Sequence, residues 1–524
     1  MKETPMSYLN KWEDLWTSQH IPTDDHSMKS EKVAGNEMES RLRTLTNALS
    51  SNTSTGVDNL NLMFEEFPYP RHQNSISIYN EETHSRLIAK LIQAREEDRT
   101  FKVVANGGST TAGGGSTPMY RNERYYARLG NYVNDLLSNI RADGWNQTVQ
   151  VIGQGHGTRN SLHSAVLFDS FIPPDADLIL WEFSINDAAE LEEDLIMQNA
   201  KLNFLPWIHE VGKMKQPPLV ILIYYWDTPY HHDKTTMAIV GRAFQSHGDI
   251  ARQFDFVAGH INMATYVDEL GLSSCWNFSE CPFLNDVHHA SDLGHLATAF
   301  LLLAFLSPRG SLIPEKPTMY LADTEYEWSC GVETVAKRDL KQVITDSASG
   351  WKSPAGAWTL DLPALNPLTP RQLVSGSGVK QIENFGRKRL VRQDRQRCTP
   401  LGFCGGDAAN SFSVEAPFTP IEDVRVMLLA FRFKGPLLES TGINVKLNGS
   451  NMTADGRLIP MRVEKEPSIV KKWPCHLSNA NTWGTRTDVY WFIFDTVQPS
   501  VLSIELCQPP GVKQIAKIQS IVIW

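Results

Sequence analysis

The segment FKVVANGGSTTAG, residues 101–113, joins a short apolar run to a glycine-rich turn that carries Ser109. The run Phe101–Ala105 is apolar on both of its alternating faces, which is typical of a strand buried on both sides of a parallel sheet. A serine in a tight glycine turn after such a strand is exposed, and the start of the next helix supplies free N–H groups beside it. The segment therefore predicts a strand, a turn with an accessible hydroxyl, and a helix.

Three further apolar runs of this kind follow, and segments with helical spacing separate them. The predicted strands are Thr148–Ile152, Leu178–Phe183 and Leu219–Tyr225. The segments Glu81–Glu97 and Tyr125–Ile140 have the apolar stripe of an amphipathic helix, and the short apolar run Leu296–Leu306 indicates a buried helix. Alternating strands and helices predict a doubly wound α/β domain with a parallel sheet.

The chain has 524 residues, which is long enough for two or three domains. We predict a polar, partly helical N-terminal extension at residues 1–98, an α/β domain at 99–308 and a β-rich accessory domain at 309–524. In the last region, alternating apolar segments bounded by Gly, Pro and Asn predict an antiparallel β-sandwich. These segments are Val424–Phe433, Val489–Phe494, Val501–Leu506 and Ile518–Trp524.

The composition argues against two classes of partner. A hydrophobic content of 41%, a charged content of 21% and a net charge of −10 are ordinary for a globular protein. We interpret the basic segment Arg387–Arg397 as a solvated loop, so we expect no nucleic-acid partner. No apolar run reaches the roughly 18 residues that a membrane-spanning helix needs, so we expect no membrane span.

Cysteines and glycosylation motifs bear on the location of the protein. There are seven cysteines, and the pairs Cys275/Cys281 and Cys398/Cys404 are each spaced to close a small disulfide loop. The N-terminus has no apolar targeting segment. Asn-x-Ser/Thr motifs begin at Asn52, Asn146, Asn277, Asn448 and Asn451. We favour the secretory pathway or an extracellular location, with any targeting segment outside this chain.

Four groups of polar residues are informative: three directly follow the first three predicted strands, and the fourth leads into the last predicted helix. In open α/β sheets, ligands bind beyond the carboxyl ends of the strands, so these positions are the informative ones. Besides the turn at Ser109, they are GQGHGT at 153–158, SIND at 184–187 and DVHHASDLGH at 286–295. In the last group a carboxylate stands three residues before a histidine, close enough to orient the ring and stabilise its protonated form.

Each group has a simpler explanation when it is taken alone. The serine turn has Gly114 where a phosphate loop would have lysine, and Thr111 where the nucleophile elbow of α/β-hydrolases would have glycine. The SIND segment is equally consistent with a helix N-cap. The histidine-rich segment is a possible metal site, which we consider less favoured because no distant Cys or Glu set accompanies it. Its potential ligands are Asp286, His288, His289, Asp292 and His295.

Taken in order along the chain, the four groups resemble the four blocks of the SGNH, or GDSL-like, hydrolases. That family is marked by Gly-Asp-Ser-x-x-x-Gly, then a glycine, then Gly-x-Asn-Asp, then Asp-x-x-His. The resemblance covers about residues 101–307 and implies a flavodoxin-like, three-layer α/β/α fold. It also implies a serine esterase that uses no metal or organic cofactor.

The resemblance assigns roles residue by residue. Ser109 matches the nucleophile, His289 the general base and Asp286 the carboxylate that orients the base. The resemblance assigns the oxyanion hole to three groups: the N–H of Ser109, the N–H of Gly157 and the side chain of Asn186. Gly155 is a near rival of Gly157, and His288 is a less favoured base.

Two positions depart from the family pattern. The aspartate before the nucleophile is Gly108, which affects the geometry of the turn more than the chemistry, and the glycine of the third block is Ser184, which would crowd the oxyanion hole slightly. The aromatic residues Tyr225 and Trp226 follow the fourth strand and are predicted to line the mouth of the cleft, where aromatic rings suit sugars.

We expect the substrate to be a short acyl ester, most simply an O-acetyl group on a carbohydrate. A lipid or lysophospholipid acyl hydrolase and an O-acyltransferase would use the same triad. A non-catalytic glycan-binding or structural protein is the alternative of another class, which the full set of site residues argues against. A glycosidase that uses Glu182 and Asp187 is less favoured, because carboxylates at a strand end have a simpler capping role.

Overall fold

The N-terminal half of the protein contains a six-stranded sheet that is parallel except at one edge. Its strands are β1 (Ile76–Ile78), β2 (Phe101–Gly107), β3 (Val149–Gly155), β4 (Leu178–Glu182), β5 (Leu219–Tyr224) and β6 (Val257–Asn262). They stand in the order β1-β6-β5-β4-β2-β3, with β1 antiparallel to β6 and the other neighbours parallel. The five parallel strands thus have the order of flavodoxin-like sheets, with the topological switch beside β2.

The computed structural model describes residues 75–306 except 117–123, 139–147, 158, 189–192, 226–243, 271, 273–274, 276–280 and 287, together with Lys11 and the C-terminal strands. The helices are α1 (Glu81–Glu96), α2 (Tyr125–Ser138), α3 (Ser161–Val166), α4 (Phe168–Phe171), α5 (Ser184–Ala188), α6 (Glu193–Lys213), α7 (Met263–Glu269) and α8 (Asp292–Phe305). A further helical segment covers residues 244–251. Among the described residues, no helix combines the length and the apolar character that crossing a bilayer would need.

Both faces of the sheet are buried, because successive side chains of a strand point to opposite sides. On one face, Leu180 and Ile223 belong to a core that α1, α2, α7 and α8 complete. On the other face, the neighbouring Trp181 packs against Phe204 and Trp207 of α6. This double burial explains why the strands are continuous apolar runs without alternation.

The structure confirms the four predicted strands of the parallel sheet as β2 to β5 and the predicted helices as α1, α2 and α8. The sequence analysis missed β1 and β6. The apolar pattern of β6 is interrupted by Gly259 and His260, and β1 has three residues, so neither has the length of apolar run that marks a strand. The segment 75–98, assigned above to the N-terminal extension, contains β1 and α1 and therefore belongs to the sheet and its core.

The described part of the C-terminal region contains ten strands in two antiparallel sheets. They are β7 (Gly356–Thr359), β8 (Leu373–Ser375), β9 (Asn410–Glu415), β10 (Arg425–Phe431), β11 (Gly442–Leu447), β12 (Ser450–Asn451), β13 (Ile459–Pro460), β14 (Thr487–Ile493), β15 (Val501–Cys507) and β16 (Lys517–Ile523). The sheet orders are β13-β14-β10-β16-β7 and β12-β11-β15-β9-β8. The four strands predicted from the sequence coincide with β10, β14, β15 and β16, and the sandwich packing of the two sheets stays a prediction.

The chain divides into two compact units, Met1–Ser161 with Pro174–Thr324 and Leu162–Pro173 with Glu325–Trp524. The domain boundary predicted after residue 308 lies outside the described residues.

Candidate active site

Ser109 lies in a short helical turn that begins where β2 ends. The N–H of Gly108 donates to the backbone oxygen of Glu182 at the end of β4 (2.8 Å), which joins the turn to the neighbouring strand. Within the turn, the N–H of Gly114 donates to the oxygen of Ser109 (2.7 Å). In the described part of the chain, the N–H of Ser109 itself donates to no acceptor. The turn therefore presents a half-buried hydroxyl together with an unused backbone donor.

A continuous chain of hydrogen bonds connects Ser109 to His289 and Asp286. The Oγ atom of Ser109 lies 2.8 Å from Nε2 of His289, across 180 residues of sequence. On the other side of the ring, Nδ1 of His289 lies 2.7 Å from Oδ2 of Asp286. In this arrangement Nδ1 carries the proton that the carboxylate accepts, which leaves the lone pair of Nε2 facing the serine hydroxyl.

The Asp286 carboxylate is held by more than the histidine ring. Its second oxygen, Oδ1, accepts the backbone N–H groups of His288 (3.0 Å) and His289 (2.9 Å). Partial burial alone would raise the pKa of Asp286, but these N–H groups and the side chain of His289 together hold it below its ordinary value. The carboxylate is therefore ionised at neutral pH.

The loop of Asp286 and His289 is tied to the N-terminus of α8. Ser291 caps this helix through its side chain, which accepts the N–H of Gly294 (3.1 Å), and its own N–H donates to the oxygen of Phe283 (3.0 Å). A disulfide between Cys275 and Cys281 closes the segment just before this loop, as the spacing of these residues predicts. Cys398 and Cys404 lie outside the described residues.

Two glycines to which the sequence analysis gave no role in the site, Gly114 and Gly115, allow the histidine to reach the serine turn. A Cβ atom at Gly114 would stand 2.6 Å from Cδ2 of His289, and one at Gly115 would stand 2.7 Å from its Cβ. Gly115 also has a φ of 84°, a backbone conformation that favours glycine. The run of three glycines at 113–115 was the sequence signal for this close approach.

Asn186 lies directly against the serine turn. Its residue belongs to α5, which begins two residues after β4 ends. A Cβ atom at Gly108 would stand 2.1 Å from Oδ1 of Asn186, so the amide occupies the space that a side chain at position 108 would fill. Asn186 is half-buried, and among the described residues its amide has no hydrogen-bond partner. The structure thus places a neutral amide without a described hydrogen-bond partner beside the serine turn, in the space that a side chain at position 108 would need.

The two glycines of the second group that are candidates for the oxyanion hole, Gly155 and Gly157, differ in their surroundings. At Gly155 an added Cβ would lie 2.1 Å from the backbone nitrogen of Ala112, so this glycine permits close packing of β3 under the turn. At Gly157 the nearest atom to an added Cβ is Cβ of Ser109, at 3.8 Å. Gly157 is therefore the glycine of this pair that lies next to the Ser109 side chain without crowding.

For the esterase activity proposed in the next subsection, we expect Gly108→Ala to lower kcat about a hundred-fold, the typical effect of losing one oxyanion donor. The new methyl group would displace the Asn186 amide, while the serine, the histidine and the carboxylate would all remain. Steady-state kinetics on a chromogenic acetate ester measures the effect. Gly212→Ala on α6 is the matched control, because its added Cβ would meet Phe256 at an ordinary 3.5 Å. Wild-type kcat in Gly108→Ala would contradict a role for Asn186.

The two acidic residues considered for a glycosidase are both buried. Glu182 is 1% exposed and Asp187 is fully buried. The Oδ1 atom of Asp187 accepts the N–H of Ser161 (2.8 Å), and Oδ2 lies 3.5 Å from Nε2 of the buried His247. Neither carboxylate borders the space at Ser109, which removes the basis for the glycosidase interpretation.

The prediction that Tyr225 lines the mouth of the cleft is wrong. Tyr225 is 1% exposed, its hydroxyl bonds to Thr298 of α8, and its N–H donates to Oγ of Ser184 (3.1 Å). The residue lies in the core because β5 is covered on both faces, so the side chains at its end are buried as well. The hydroxyl of Ser184 is thereby directed to β5 and does not crowd the serine turn. Trp226, the second predicted substrate contact, lies outside the described residues.

The histidine-rich loop brings three potential metal ligands together. Side-chain atoms of Asp286, His288 and His289 lie within 4.8 Å of one another. Two of these residues are already hydrogen-bonded to each other at 2.7 Å, and a metal ion would have to break that bond. His295 is not part of this cluster of potential ligands. Its side chain is 1% exposed and stacks on Tyr125. Burial, aided by the positive charge of Arg128, lowers the pKa of His295 to about 3.

Comparison with known proteins finds structural neighbours only. No protein-family model and no curated protein sequence matches the chain. A two-domain esterase active on acetylated mannans is 14% identical, with a TM-score of 0.44 over 85% of this chain and 96% of its own. A lipase from a goat rumen metagenome is 16% identical, with a TM-score of 0.31 over 40% of this chain and 100% of its own. A catalytic mutant of an acetylxylan esterase from Geobacillus stearothermophilus is 13% identical, with a TM-score of 0.30 over 39% of this chain and 94% of its own.

Proposed function

We propose that the protein is a serine esterase of the SGNH type. The observation that carries the proposal is the unbroken chain of hydrogen bonds from Asp286 through His289 to Ser109. A hydroxyl becomes a nucleophile when a base takes its proton, and a carboxylate behind the base stabilises the charge that results. The three groups meet at the carboxyl ends of the strands, beside the topological switch, where ligands bind in open α/β sheets.

In the proposed first step, Oγ of Ser109 forms a bond to the ester carbonyl carbon while its proton passes to Nε2 of His289. The carbonyl oxygen becomes an oxyanion, and the Asp286 carboxylate stabilises the imidazolium. The N–H of Ser109, the N–H of Gly157 and the amide of Asn186 are our candidates for the oxyanion hole. Each well-placed donor contributes about 3–4 kcal/mol to transition-state stabilisation.

When the tetrahedral intermediate collapses, its bond to the alcohol breaks and His289 returns the proton to the leaving oxygen. The acyl group then remains on Ser109. Water attacks this acyl-enzyme with the same histidine as base, and the acid and the free serine are released. The groups named here complete the cycle without a redox step.

For the substrate, we propose a short acyl group, most simply an acetyl ester on a carbohydrate. This is the substrate class of the acetylmannan and acetylxylan esterases named above. Initial rates on p-nitrophenyl acetate and on its long-chain homologues separate this proposal from a lipid acyl hydrolase. Product analysis with an added sugar alcohol separates hydrolysis from acyl transfer.

The test of the proposed function is covalent labelling with a fluorophosphonate, which reacts with activated serines. We expect the wild-type protein to be labelled at Ser109 and Ser109→Ala to remain unlabelled. Ser116→Ala, which changes the serine of the same glycine-rich segment, is the matched control and should label as the wild type does. An unlabelled wild-type protein would refute the esterase proposal.

The disulfide between Cys275 and Cys281 supports our expectation of an oxidising, secretory or extracellular environment. Mass spectrometry of the protein isolated without reductant, with free thiols alkylated, would detect the bond. Alkylation of both cysteines in that material would contradict this location.

A further inference from the structure

A buried carboxyl group that the proposed mechanism does not use lies under the serine turn. Glu182 is the last residue of β4, it is 1% exposed, and it pairs in the sheet with Gly107 at the end of β2. Its Oε2 atom accepts two hydrogen bonds from Thr111, from the hydroxyl (2.8 Å) and from the backbone N–H (3.1 Å). Thr111 stands two residues after Ser109 in the same turn.

A second hydrogen bond of the Thr111 hydroxyl connects the serine turn to the buried core. The hydroxyl of Thr111 also lies 2.8 Å from the hydroxyl of Tyr125, which is fully buried at the start of α2. Because the threonine donates to the carboxyl, the tyrosine donates to the threonine. The serine turn is thus joined through one side chain to β4 on one side and to α2 on the other.

The position before the nucleophile cannot provide this support. Gly108 has no side chain, and the Asn186 amide fills the adjacent space. The side-chain support of the turn therefore comes from another element, through Thr111. We propose that Glu182 is the positioning residue of the nucleophile turn, which through Thr111 holds Ser109 in register with His289. This inference rests on the proposed esterase function.

The state of the carboxyl group is consistent with a hydrogen-bonding role. Burial, and to a lesser extent the charge of Asp187, raises the pKa of Glu182 to about 7, against the opposing hydrogen bonds from Thr111 and Gly108. The group is therefore partly protonated at neutral pH. Because a carboxyl oxygen accepts hydrogen bonds in either state, the anchor depends on that oxygen and not on a full charge.

Two pairs of variants test the proposal. Glu182→Gln keeps an accepting oxygen and Glu182→Leu removes it, while Thr111→Ser keeps the hydroxyl and Thr111→Val removes it. A misplacement of about 1 Å in a catalytic group costs roughly a hundred-fold in rate. We therefore expect Glu182→Leu to lower both kcat on p-nitrophenyl acetate and the rate constant of fluorophosphonate labelling by about that factor. We expect KM to stay near the wild-type value, Thr111→Val to lose a smaller factor, and the Gln and Ser variants to regain most of the activity.

Circular dichroism and urea denaturation separate positioning from folding, and rates are expressed per folded molecule. Labelling rates in Glu182→Leu and Thr111→Val equal to the wild-type rate would overturn the inference while leaving the esterase proposal intact. If Glu182→Leu does not fold, the two threonine variants decide the question by the same criterion. A wild-type protein that is not labelled at all would refute the proposed function instead, so the two failures are distinguishable.

Discussion

Replacing His289 by alanine is expected to lower kcat by about a million-fold, the loss seen when the base or the nucleophile of a serine triad is removed. The ring is the only described contact between the hydroxyl of Ser109 and the carboxylate of Asp286, with bonds of 2.8 and 2.7 Å. Without it the serine proton has no acceptor and the leaving alcohol has no donor. Steady-state kinetics on p-nitrophenyl acetate, with partial recovery by added imidazole, measures the effect.

His288→Ala is the control for this experiment. The side chain of His288 lies next to His289, with ring centroids 4.4 Å apart, and the backbone N–H of His288 donates to Asp286. An alanine keeps that N–H, so kcat should stay close to the wild-type value. A large loss in His288→Ala together with an active His289→Ala variant would assign the base to the other histidine.

Asp286→Asn is expected to lower kcat about ten-thousand-fold while the protein remains folded. An asparagine oxygen can still accept the two backbone N–H groups that Oδ1 accepts now, so the loop should keep its shape. The new NH₂ group would take the place of Oδ2, and there it would donate a hydrogen bond to Nδ1 of His289. That favours the tautomer with a proton on Nε2, which cannot take the proton of Ser109.

The comparison of Asp286→Asn with Asp292→Asn tests this mechanism. Asp292 is the first residue of α8, three residues beyond His289, and the hydrogen bonds of the His289 ring go to Asp286 and Ser109. We expect Asp292→Asn to keep kcat near the wild-type value, and thermal denaturation to show both variants folded. Equal activity in Asp286→Asn and the wild type would remove Asp286 from the mechanism.

The parallel sheet could be predicted because its strands are buried on both faces. Double burial makes each strand a continuous apolar run, and β2 to β5 are visible in the sequence for that reason. The edge strand β1 has three residues, and β6 contains Gly259, where an added Cβ would stand 2.0 Å from the oxygen of Ser77. These two strands form by pairing with each other in the sheet, and neither has a continuous apolar run that would predict it from the sequence.

The same double burial accounts for the error at Tyr225. Three aromatic residues follow one another at the end of β5, and by composition they resemble a platform for a sugar ring. In the structure, Tyr224 and Tyr225 point to opposite faces of the sheet, and each face is covered. Composition does not reveal whether an aromatic residue at a strand end has solvent or a helix above it.

The serine turn shows where the contribution of the sequence ends and that of the tertiary structure begins. The strand before Ser109, the glycines that allow the turn, and the three-residue spacing of Asp286 and His289 are local patterns, and the sequence alone determined them. The approach of His289 to Ser109 across 180 residues, the amide of Asn186 in the space beside Gly108, and the carboxyl of Glu182 beneath Thr111 were decided by the tertiary structure. The physical reason is that backbone periodicity and short spacings constrain only neighbouring residues. Contacts between distant segments arise from the order of the strands and from the close packing of the turns at their ends.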